Sequence, residues 1–395
     1  MTADTVTEKP VTDPELIAAA RELIPLLRAN AERTERDGNP VPENIRALRE
    51  AGLFRLTKPA EFGGLELGLP TLVEIISEVG RGCPSTGWIL ANDAASADFA
   101  WQVNEQARAY MFKDDPDTLV LSTNSLSGST ARKTDDGTLI SGRFPWSSGC
   151  EISEWVVFLG VPVFDEEQNL VAAVNAVAPT SDVTIERTWQ VSGMSGTGTQ
   201  TIVVEDLFIP EYRTVTNAIA DLLRDEDQRP SDVTAGSLLS LSSVVGAARG
   251  ALDVVTEALT RKKRPISTTP YESVTDSPVM RMRYAEAKHL VDSAVLHMRH
   301  AAERLDGRAH DEPTPWVERA EIRMHMASAL QHARQGVEKL LDVNGASSFR
   351  LSDPLQRYWR DLAIGSRHTA LNQPIILEDY SLALWGVRPS VTWIT

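Results

Sequence analysis

Residues 144–150 carry the side chains best suited to bind a flat heteroaromatic ligand. They read Phe-Pro-Trp-Ser-Ser-Gly-Cys and are predicted to lie at the end of a β-strand. The indole of Trp146 could cover one face of such a ligand, while the hydroxyls of Ser147 and Ser148 could address its ring heteroatoms. A buried tryptophan followed by turn-forming serines fits the same pattern, so the local sequence leaves both interpretations open.

His368 is the candidate group for proton transfer. All seven histidines lie in the C-terminal part of the sequence, and six of them have charged helical surroundings that favour solvated side chains. His368 instead follows a predicted helix that breaks at Gly365, and a helix break can aim a side chain into a cleft. We therefore select His368 as a site residue, with a solvated position as the competing interpretation.

Arg261, Lys262, Lys263 and Arg264 form the densest basic run in the sequence. Such a run could hold a phosphate group through charge-assisted hydrogen bonds. It also follows a predicted helix, so a favourable interaction of the cations with the helix dipole explains it equally well.

Several common catalytic motifs are absent from the sequence. Residues 193–198, Gly-Met-Ser-Gly-Thr-Gly, lack the G-x-G-x-x-G spacing and precede a predicted strand instead of a helix. There is no G-x-x-x-x-G-K-[ST], H-E-x-x-H or G-x-S-x-G motif, which removes the usual signals of phosphoryl transfer, zinc-dependent proteolysis and α/β-hydrolase chemistry. Cys83 and Cys150 are far apart, so we predict no disulfide framework and no metal site.

Length and composition exclude further classes of protein. The 395 residues exceed the roughly 250–300 that one hydrophobic core usually holds, so two or three domains are expected. A formal net charge of −16 would repel nucleic acid. No stretch approaches the ~18 uncharged apolar residues of a membrane-spanning helix, and the polar first residues do not resemble a signal peptide. We therefore expect a cytoplasmic protein.

Hydrophobic spacing divides the sequence into three predicted domains of an α+β fold. Residues 14–116 show the three- and four-residue spacing of helices, and residues 117–212 contain short runs with the two-residue period of strands. Residues 232–395 return to helical spacing and predict a bundle of about four helices. The first seam of that bundle alternates steps of four and three: Leu241, Val245, Ala248, Leu252, Val255 and Leu259.

The order of these domains and several short motifs resemble the acyl-CoA dehydrogenase fold. The resemblance spans nearly the whole chain and implies an N-terminal helical domain, a middle β-barrel or sandwich and a C-terminal four-helix bundle. The motifs that carry it are, in order, Phe62-Gly63-Gly64, residues 83–88, the strand that ends near Trp146, Trp189, residues 193–199 and Phe208-Ile209-Pro210.

The C-terminal motif is similar to one branch of that family. Dehydrogenases of the family commonly carry a glutamate base in a Tyr-Glu-Gly run, which is absent here. Residues 366–373, Ser-Arg-His-Thr-Ala-Leu-Asn-Gln, instead resemble flavin-dependent monooxygenases, whose oxygenase components act on hydroxyphenylacetate or hydroxylated steroid phenols. This branch implies that reduced flavin and O2, through a C4a-hydroperoxide, hydroxylate a small aromatic or polyketide-like substrate.

The resemblance implies roles for five residues around the flavin ring. Trp146 and Ser147 would line the isoalloxazine, and Ser148 would approach the flavin N5 atom as a donor. Thr123 and Asn124 occupy the preceding strand end, where members of the family contact the pyrimidine edge of the ring.

The resemblance also implies a phosphate site, a catalytic base and two partners. Arg261 and Lys263 match the basic run that binds the cofactor phosphate across a subunit interface. His368 would stand near flavin C4a and the substrate, as the base or as a support for the peroxide. The flavin is expected to be FMN, with FAD possible, supplied by a separate NAD(P)H:flavin reductase to a homotetramer or homodimer.

Two other enzymatic functions remain open at this point, besides a flavin-free scaffold that uses the bundle only for assembly. Aromatic hydroxylases of the branch often carry a histidine after the motif that ends at Trp88, and residues 91–98 contain none, so oxidation of an amino-sugar nitrogen is an alternative. An acyl-CoA dehydrogenase-like thioester oxidoreductase with a displaced base is the other, and Glu378 and Asp379 are its nearest candidate carboxylates.

Overall fold

The computed structural model describes residues 13–99, 103–125, 128–218, 232–261, 265–306 and 314–388. Its helices are α1 (Pro14–Glu22), α2 (Ile24–Asp37), α3 (Pro42–Glu50), α4 (Leu69–Gly82), α5 (Pro84–Phe99), α6 (Glu105–Phe112), α7 (Asp232–Arg261), α8 (Pro278–Asp306), α9 (Trp316–Asn344), α10 (Pro354–Gly365) and α11 (Gln373–Ala383). Its strands are β1 (Val120–Asn124), β2 (Ser129–Lys133), β3 (Gly137–Ser147), β4 (Trp155–Phe164), β5 (Leu170–Pro179), β6 (Thr184–Glu186), β7 (Gln200–Pro210) and β8 (Thr214–Ala218).

The N-terminal helices begin and end at the residues that their chemistry favours. The side chain of Asp13 accepts hydrogen bonds from the first backbone amides of α1, and Pro14 occupies the first turn. Helix α2 ends at Gly38 with a left-handed φ of 77°, a conformation that costs glycine little. Helix α4 is buried along almost its whole length and joins these helices to the C-terminal bundle.

The middle region consists of two four-stranded sheets with a shared core. The strand orders are β1-β4-β5-β8 and β2-β3-β7-β6. The rings of Phe144 on β3 and Phe158 on β4 meet edge to face, with centroids 4.8 Å apart, between the sheets. The runs of two-residue periodicity at residues 119–121, 155–163, 171–177, 183–185 and 201–204 correspond to β1, β4, β5, β6 and β7, whereas β2 and β8 were not predicted. Strand β8 also lies beyond the predicted domain boundary at residue 212.

Helix α7 is the central helix of the C-terminal bundle and packs against α4, α5, α9 and α10. Four residues of the predicted seam, Leu241, Val245, Ala248 and Val255, are buried, and the other two, Leu252 and Leu259, are partly buried against the same core. Residues Val233–Arg261 are long and apolar enough to cross a membrane by composition alone. Since 72% of that apolar window is buried inside the fold, its composition is explained by its place in the core.

A buried ion pair fastens the N-terminal helices to the first strand. Lys58 Nζ lies 3.5 Å from Asp93 Oδ2, and both side chains are almost inaccessible to solvent. The other carboxylate oxygen, Oδ1, accepts a hydrogen bond from the Val120 amide at 2.8 Å, and Lys58 donates to the Thr118 carbonyl. Burial raises the pKa of Asp93 to about 6, although Lys58 opposes the shift.

We expect Lys58→Met to destabilise the protein strongly at pH 8 and much less at pH 5. At pH 8 the variant buries an uncompensated Asp93 carboxylate, a change that costs about 3–5 kcal/mol in comparable pairs. At pH 5 Asp93 is protonated, so only the hydrogen bond to Thr118 is lost. Thermal unfolding at both pH values measures the difference.

The double variant Lys58→Met with Asp93→Asn is the control, because it has no buried carboxylate to titrate. Its loss of stability relative to wild type should therefore not grow between pH 5 and pH 8. An equal loss in the single variant at the two pH values would contradict the role of the ion pair.

Candidate active site

Trp146 is turned out of strand β3 by an irregularity in the sheet. The register between β3 and β7 shifts between Phe144 and Ser147, and Trp146 itself has a left-handed φ of 65°. Its side chain is 71% exposed, and its ring meets the edge of the Trp189 ring at 5.4 Å. A large indole that is braced by a second indole and open to solvent can cover a flat ligand.

Ser147 and Thr123 form a buried hydroxyl pair below this indole. The Ser147 hydroxyl donates to the Phe144 carbonyl at 2.9 Å, so the Thr123 hydroxyl, 2.7 Å away, must donate to Ser147. Thr123 Oγ1 is then left with lone pairs and no proton for a ligand. Asn124, the last residue of β1, is exposed.

Ser148 belongs to a buried row of polar groups, which we call the hydroxyl chain. Trp88 Nε1 lies 3.2 Å from Ser148 Oγ, which lies 2.8 Å from Thr199 Oγ1. Thr199 Oγ1 lies 2.6 Å from Thr197 Oγ1, which donates to the Met194 carbonyl at 2.7 Å. The antiparallel pairing of Ser147 with Gln200 brings the two segments together.

His368 also contacts Trp88, the residue whose Nε1 meets Ser148. The imidazole and indole centroids are 5.5 Å apart in an edge-to-face arrangement, so one indole separates His368 from Ser148. Helix α10 ends at Gly365, and the extended backbone of His368 redirects the chain there. The imidazole stays open to solvent on one side, while the protein around it lowers its pKa by desolvation.

The remaining predicted residues are not part of this group. Arg261 ends helix α7 with an exposed side chain, and its guanidinium lies 3.5 Å from the Glu257 carboxylate. Lys263 lies outside the described residues. Glu378 is exposed on α11, and Asp379 is buried in an ion pair with Arg323 at 3.0 Å. Among the described residues, no cluster of histidine, cysteine or carboxylate side chains could hold a metal ion.

Sequence reasoning missed Trp88, Thr197 and Thr199 as site residues. Trp88 lies in one of the motifs that carried the resemblance, and both threonines lie in or next to the glycine-rich run. These motifs were therefore visible in the sequence, but no role was assigned to the three residues. Their contact with Ser148 depends on chain segments 51 and 60 residues apart, which local patterns do not reveal.

Asp361 on helix α10 was also missed as part of the site, and it anchors the far end of the hydroxyl chain. Its Oδ1 accepts a hydrogen bond from the Met194 amide at 2.5 Å. Burial raises the pKa of Asp361 to about 7, the Met194 amide opposes the shift, and the nearby Glu35 carboxylate adds to it. Glu35 is itself paired with Arg357 and Arg360, at 2.8 and 2.6 Å.

These residues fit the polar and apolar edges of a flavin ring. An exposed indole offers a face for the ring system, and the oxygens of Thr123 and Ser148 offer lone pairs to its N–H groups. His368 adds an imidazole to the same group through its contact with Trp88. The donor set contains no carboxylate in contact with Ser148 or His368 among the described residues.

Comparison with known proteins agrees with this geometry. Residues 16–110 match the N-terminal domain of acyl-CoA dehydrogenases, and residues 238–373 match the C-terminal domain. The solved structure of XiaF from Streptomyces sp., in complex with FADH2 and glycerol, superimposes with a TM-score of 0.88 at 28% identity and covers 96% of each chain. The chain therefore belongs to the acyl-CoA dehydrogenase family, as the sequence predicted.

Two curated relatives define the branch within that family. A pigment production hydroxylase from Rhodococcus sp. is 33% identical over 92% of this chain and 94% of its own. The oxygenase subunit HsaA of a flavin-dependent monooxygenase from Rhodococcus jostii is 30% identical over 89% of this chain and 93% of its own. The protein is thus a flavin-dependent monooxygenase, which confirms the branch predicted from residues 366–373.

We expect Asp361→Asn to remove a stability cost that depends on pH. The pKa of Asp361 is about 7 in the folded chain and near 3.9 in the unfolded chain. Its contribution to the free energy of unfolding therefore decreases as the pH rises between these two values. Asparagine carries no charge, so the variant should gain stability relative to wild type from pH 4 to pH 8, by at most on the order of 4 kcal/mol. Thermal unfolding across this range measures it.

Asp342→Asn, at an exposed carboxylate on α9, is the matched control for the loss of one carboxyl group. If Asp361→Asn differs from wild type by a constant amount across this range, the Asp361 carboxyl does not titrate with a raised pKa.

Proposed function

We propose that this chain is the oxygenase component of a two-component monooxygenase that hydroxylates a small phenolic or polyketide-like molecule. One observation carries the proposal: an imidazole, that of His368, stands one indole away from Ser148. Dehydrogenases of the family place a carboxylate base in this stretch of the chain. A histidine there suits proton transfer from an acidic hydroxyl group better than proton abstraction next to a thioester.

The cofactor is reduced FMN, with reduced FAD as the alternative. When bound, reduced flavin supplies the two electrons with which one atom of O2 enters the substrate and the other leaves as water. Trp146 covers one face of the ring, Ser147 supports the wall behind it, and Ser148 and Thr123 address the ring edge, with Asn124 at the strand end. The buried hydroxyl chain gives this wall a fixed set of hydrogen bonds, which keeps bulk water from the ring.

His368 acts as the base toward the substrate. Desolvation lowers its pKa, so the imidazole is neutral near pH 7 and can accept a phenolic proton. Its edge contact with Trp88 restricts the rotation of the ring. Two relatives of this chain are named as hydroxylases of resorcinol and of p-hydroxyphenylacetate, both phenols, and this supports an aromatic substrate over an amino sugar.

The carboxylates that a thioester oxidoreductase would need are not available at the site. Asp379 is 1% exposed and is committed to Arg323, and Glu378 is exposed on α11. Neither has a contact with Trp88 or Ser148 among the described residues. These positions favour the oxygenase over a dehydrogenase with a displaced base.

We infer that the protein works in the cytoplasm as a homodimer or homotetramer and receives its flavin from a separate reductase. Relatives named as oxygenase components or subunits support the reductase. Exposed apolar side chains on α8 and at the end of α11 support self-association, since contact with a second chain would remove them from water. They are Val279, Met282, Leu296, Leu384 and Trp385. Arg261 and Lys263 would reach the flavin phosphate from the neighbouring subunit.

We expect His368→Asn to hydroxylate about 100-fold more slowly than wild type, because a positioned base contributes at least that factor. The enzyme with reduced flavin is mixed with O2 and each phenol of a panel in turn. The hydroxylated product and the released H2O2 are then measured. Since desolvation lowers the pKa of His368 below the ordinary value for histidine, wild-type activity should fall only at acidic pH, where the imidazole becomes charged. The variant should lack this acid limb.

His289→Asn, at an exposed histidine on α8, is the matched control and should keep both the rate and the acid limb. The proposal would be contradicted if the wild-type protein oxidised reduced flavin but formed no hydroxylated phenol. Oxidation of amino sugars in place of phenols would reassign it to nitrogen oxidation.

We expect Arg261→Gln to weaken FMN binding about tenfold and to leave riboflavin binding unchanged, because a charge-assisted bond to phosphate contributes roughly 1.5–3 kcal/mol. Anaerobic titration of the reduced flavins measures both affinities. Arg36→Gln, at an exposed arginine on α2, should alter neither. Equal weakening of FMN and riboflavin by Arg261→Gln would exclude a phosphate contact.

A further inference from the structure

The hydroxyl chain has only one possible direction, which its Met194 end determines. A carbonyl oxygen can only accept a hydrogen bond. The hydroxyl of Thr197 therefore donates its one proton to the Met194 carbonyl, 2.7 Å away. Thr199 must then donate to Thr197 across 2.6 Å, and Ser148 must donate to Thr199 across 2.8 Å. The proton of Ser148 is therefore committed to Thr199.

The Trp88 end agrees with this direction. An indole N–H can only donate, and Trp88 Nε1 occupies one lone pair of Ser148 Oγ at 3.2 Å. Ser148 is left with one lone pair and no free proton. This differs from the donor role that the family resemblance gives to Ser148.

The chain cannot easily be reversed, because its Met194 end is clamped. Met194 donates its amide to Asp361, and its carbonyl also accepts from Trp189 Nε1 at 2.9 Å. A Cβ atom on Gly193 would lie 2.4 Å from the Arg360 carbonyl oxygen, so helix α10 lies directly against this segment. Thr197 and Thr199 are 1% and 6% exposed, which leaves water little access to replace a broken bond.

We propose that Thr199 is a specificity-determining residue that makes Ser148 an acceptor and so favours reduced over oxidised flavin. The inference rests on the proposed function, in which Ser148 faces the flavin N5 atom. Reduced flavin carries a hydrogen on N5, which fits the free lone pair of Ser148. Oxidised flavin carries a lone pair on N5, so Ser148 could meet it favourably only if the chain gave up at least one hydrogen bond.

Thr199→Val tests this assignment, because valine has nearly the same shape and removes the acceptor for the Ser148 proton. Ser148 can then donate to oxidised flavin. We expect oxidised FMN to bind about tenfold more tightly than in wild type, the value of a typical buried hydrogen bond. Reduced FMN should bind no more tightly than before. Anaerobic equilibrium titration of both redox forms measures the ratio of the two Kd values without any turnover.

Two further variants separate the role of the hydroxyl from a change in packing. Thr199→Ser keeps the hydroxyl and should restore the wild-type ratio of Kd values. Ser148→Ala removes the oxygen that faces N5, so it should lower the preference for reduced FMN as Thr199→Val does. Ser148→Ala also decides the outcome if Thr199→Val does not fold.

The inference is overturned if wild type binds both redox forms of FMN equally, or if folded Thr199→Val keeps the wild-type ratio of Kd values. If Thr199→Val does not fold, a wild-type ratio in Ser148→Ala overturns it. Each of these results leaves the proposed function intact, provided that wild type still binds flavin and hydroxylates a phenol. If wild type binds neither redox form, the proposed function itself is wrong.

Discussion

The hydrogen bond from the Met194 amide to Asp361 is the contact on which the site depends. It joins helix α10, which leads to His368, to the segment that carries Thr197 and Thr199. Because the two ends of the site are tied to the same helix, the imidazole and the hydroxyl chain both keep their contact with Trp88. A shift of α10 would move both together.

This arrangement holds two residues in backbone conformations that side chains usually avoid. Met194 and Trp146 have left-handed φ values of 54° and 65°, each of which costs about 1–3 kcal/mol. The buried Asp361 carboxylate adds a cost of desolvation. The large bundle core around α7 offsets these costs, so the strain is concentrated at the candidate site and the stability comes from elsewhere.

Sequence patterns predicted the parts of this protein that local spacing determines. The seam of α7 follows from apolar residues at steps of three and four, and the Trp146–Ser148 segment is visible because its side chains are neighbours in sequence. The contact of His368 with Trp88 joins residues 280 positions apart, and no periodicity records it. The direction of the hydroxyl chain depends on the Met194 carbonyl, which no side-chain motif reveals. The roles of the predicted site residues toward flavin remain predictions.

An imidazole at position 368 also changes the charge of the site in a way that a carboxylate could not. When a phenol transfers its proton to a glutamate, the phenolate is left without a positive partner. If it transferred its proton to His368, the product would be a cation beside an anion, and the two charges would attract each other. The partial desolvation that lowers the pKa of His368 favours the neutral base before proton transfer, and the opposite charge would favour the phenolate afterwards. In the proposed function a fixed acceptor at Ser148 would complete this division, with Ser148 toward the cofactor and His368 toward the substrate.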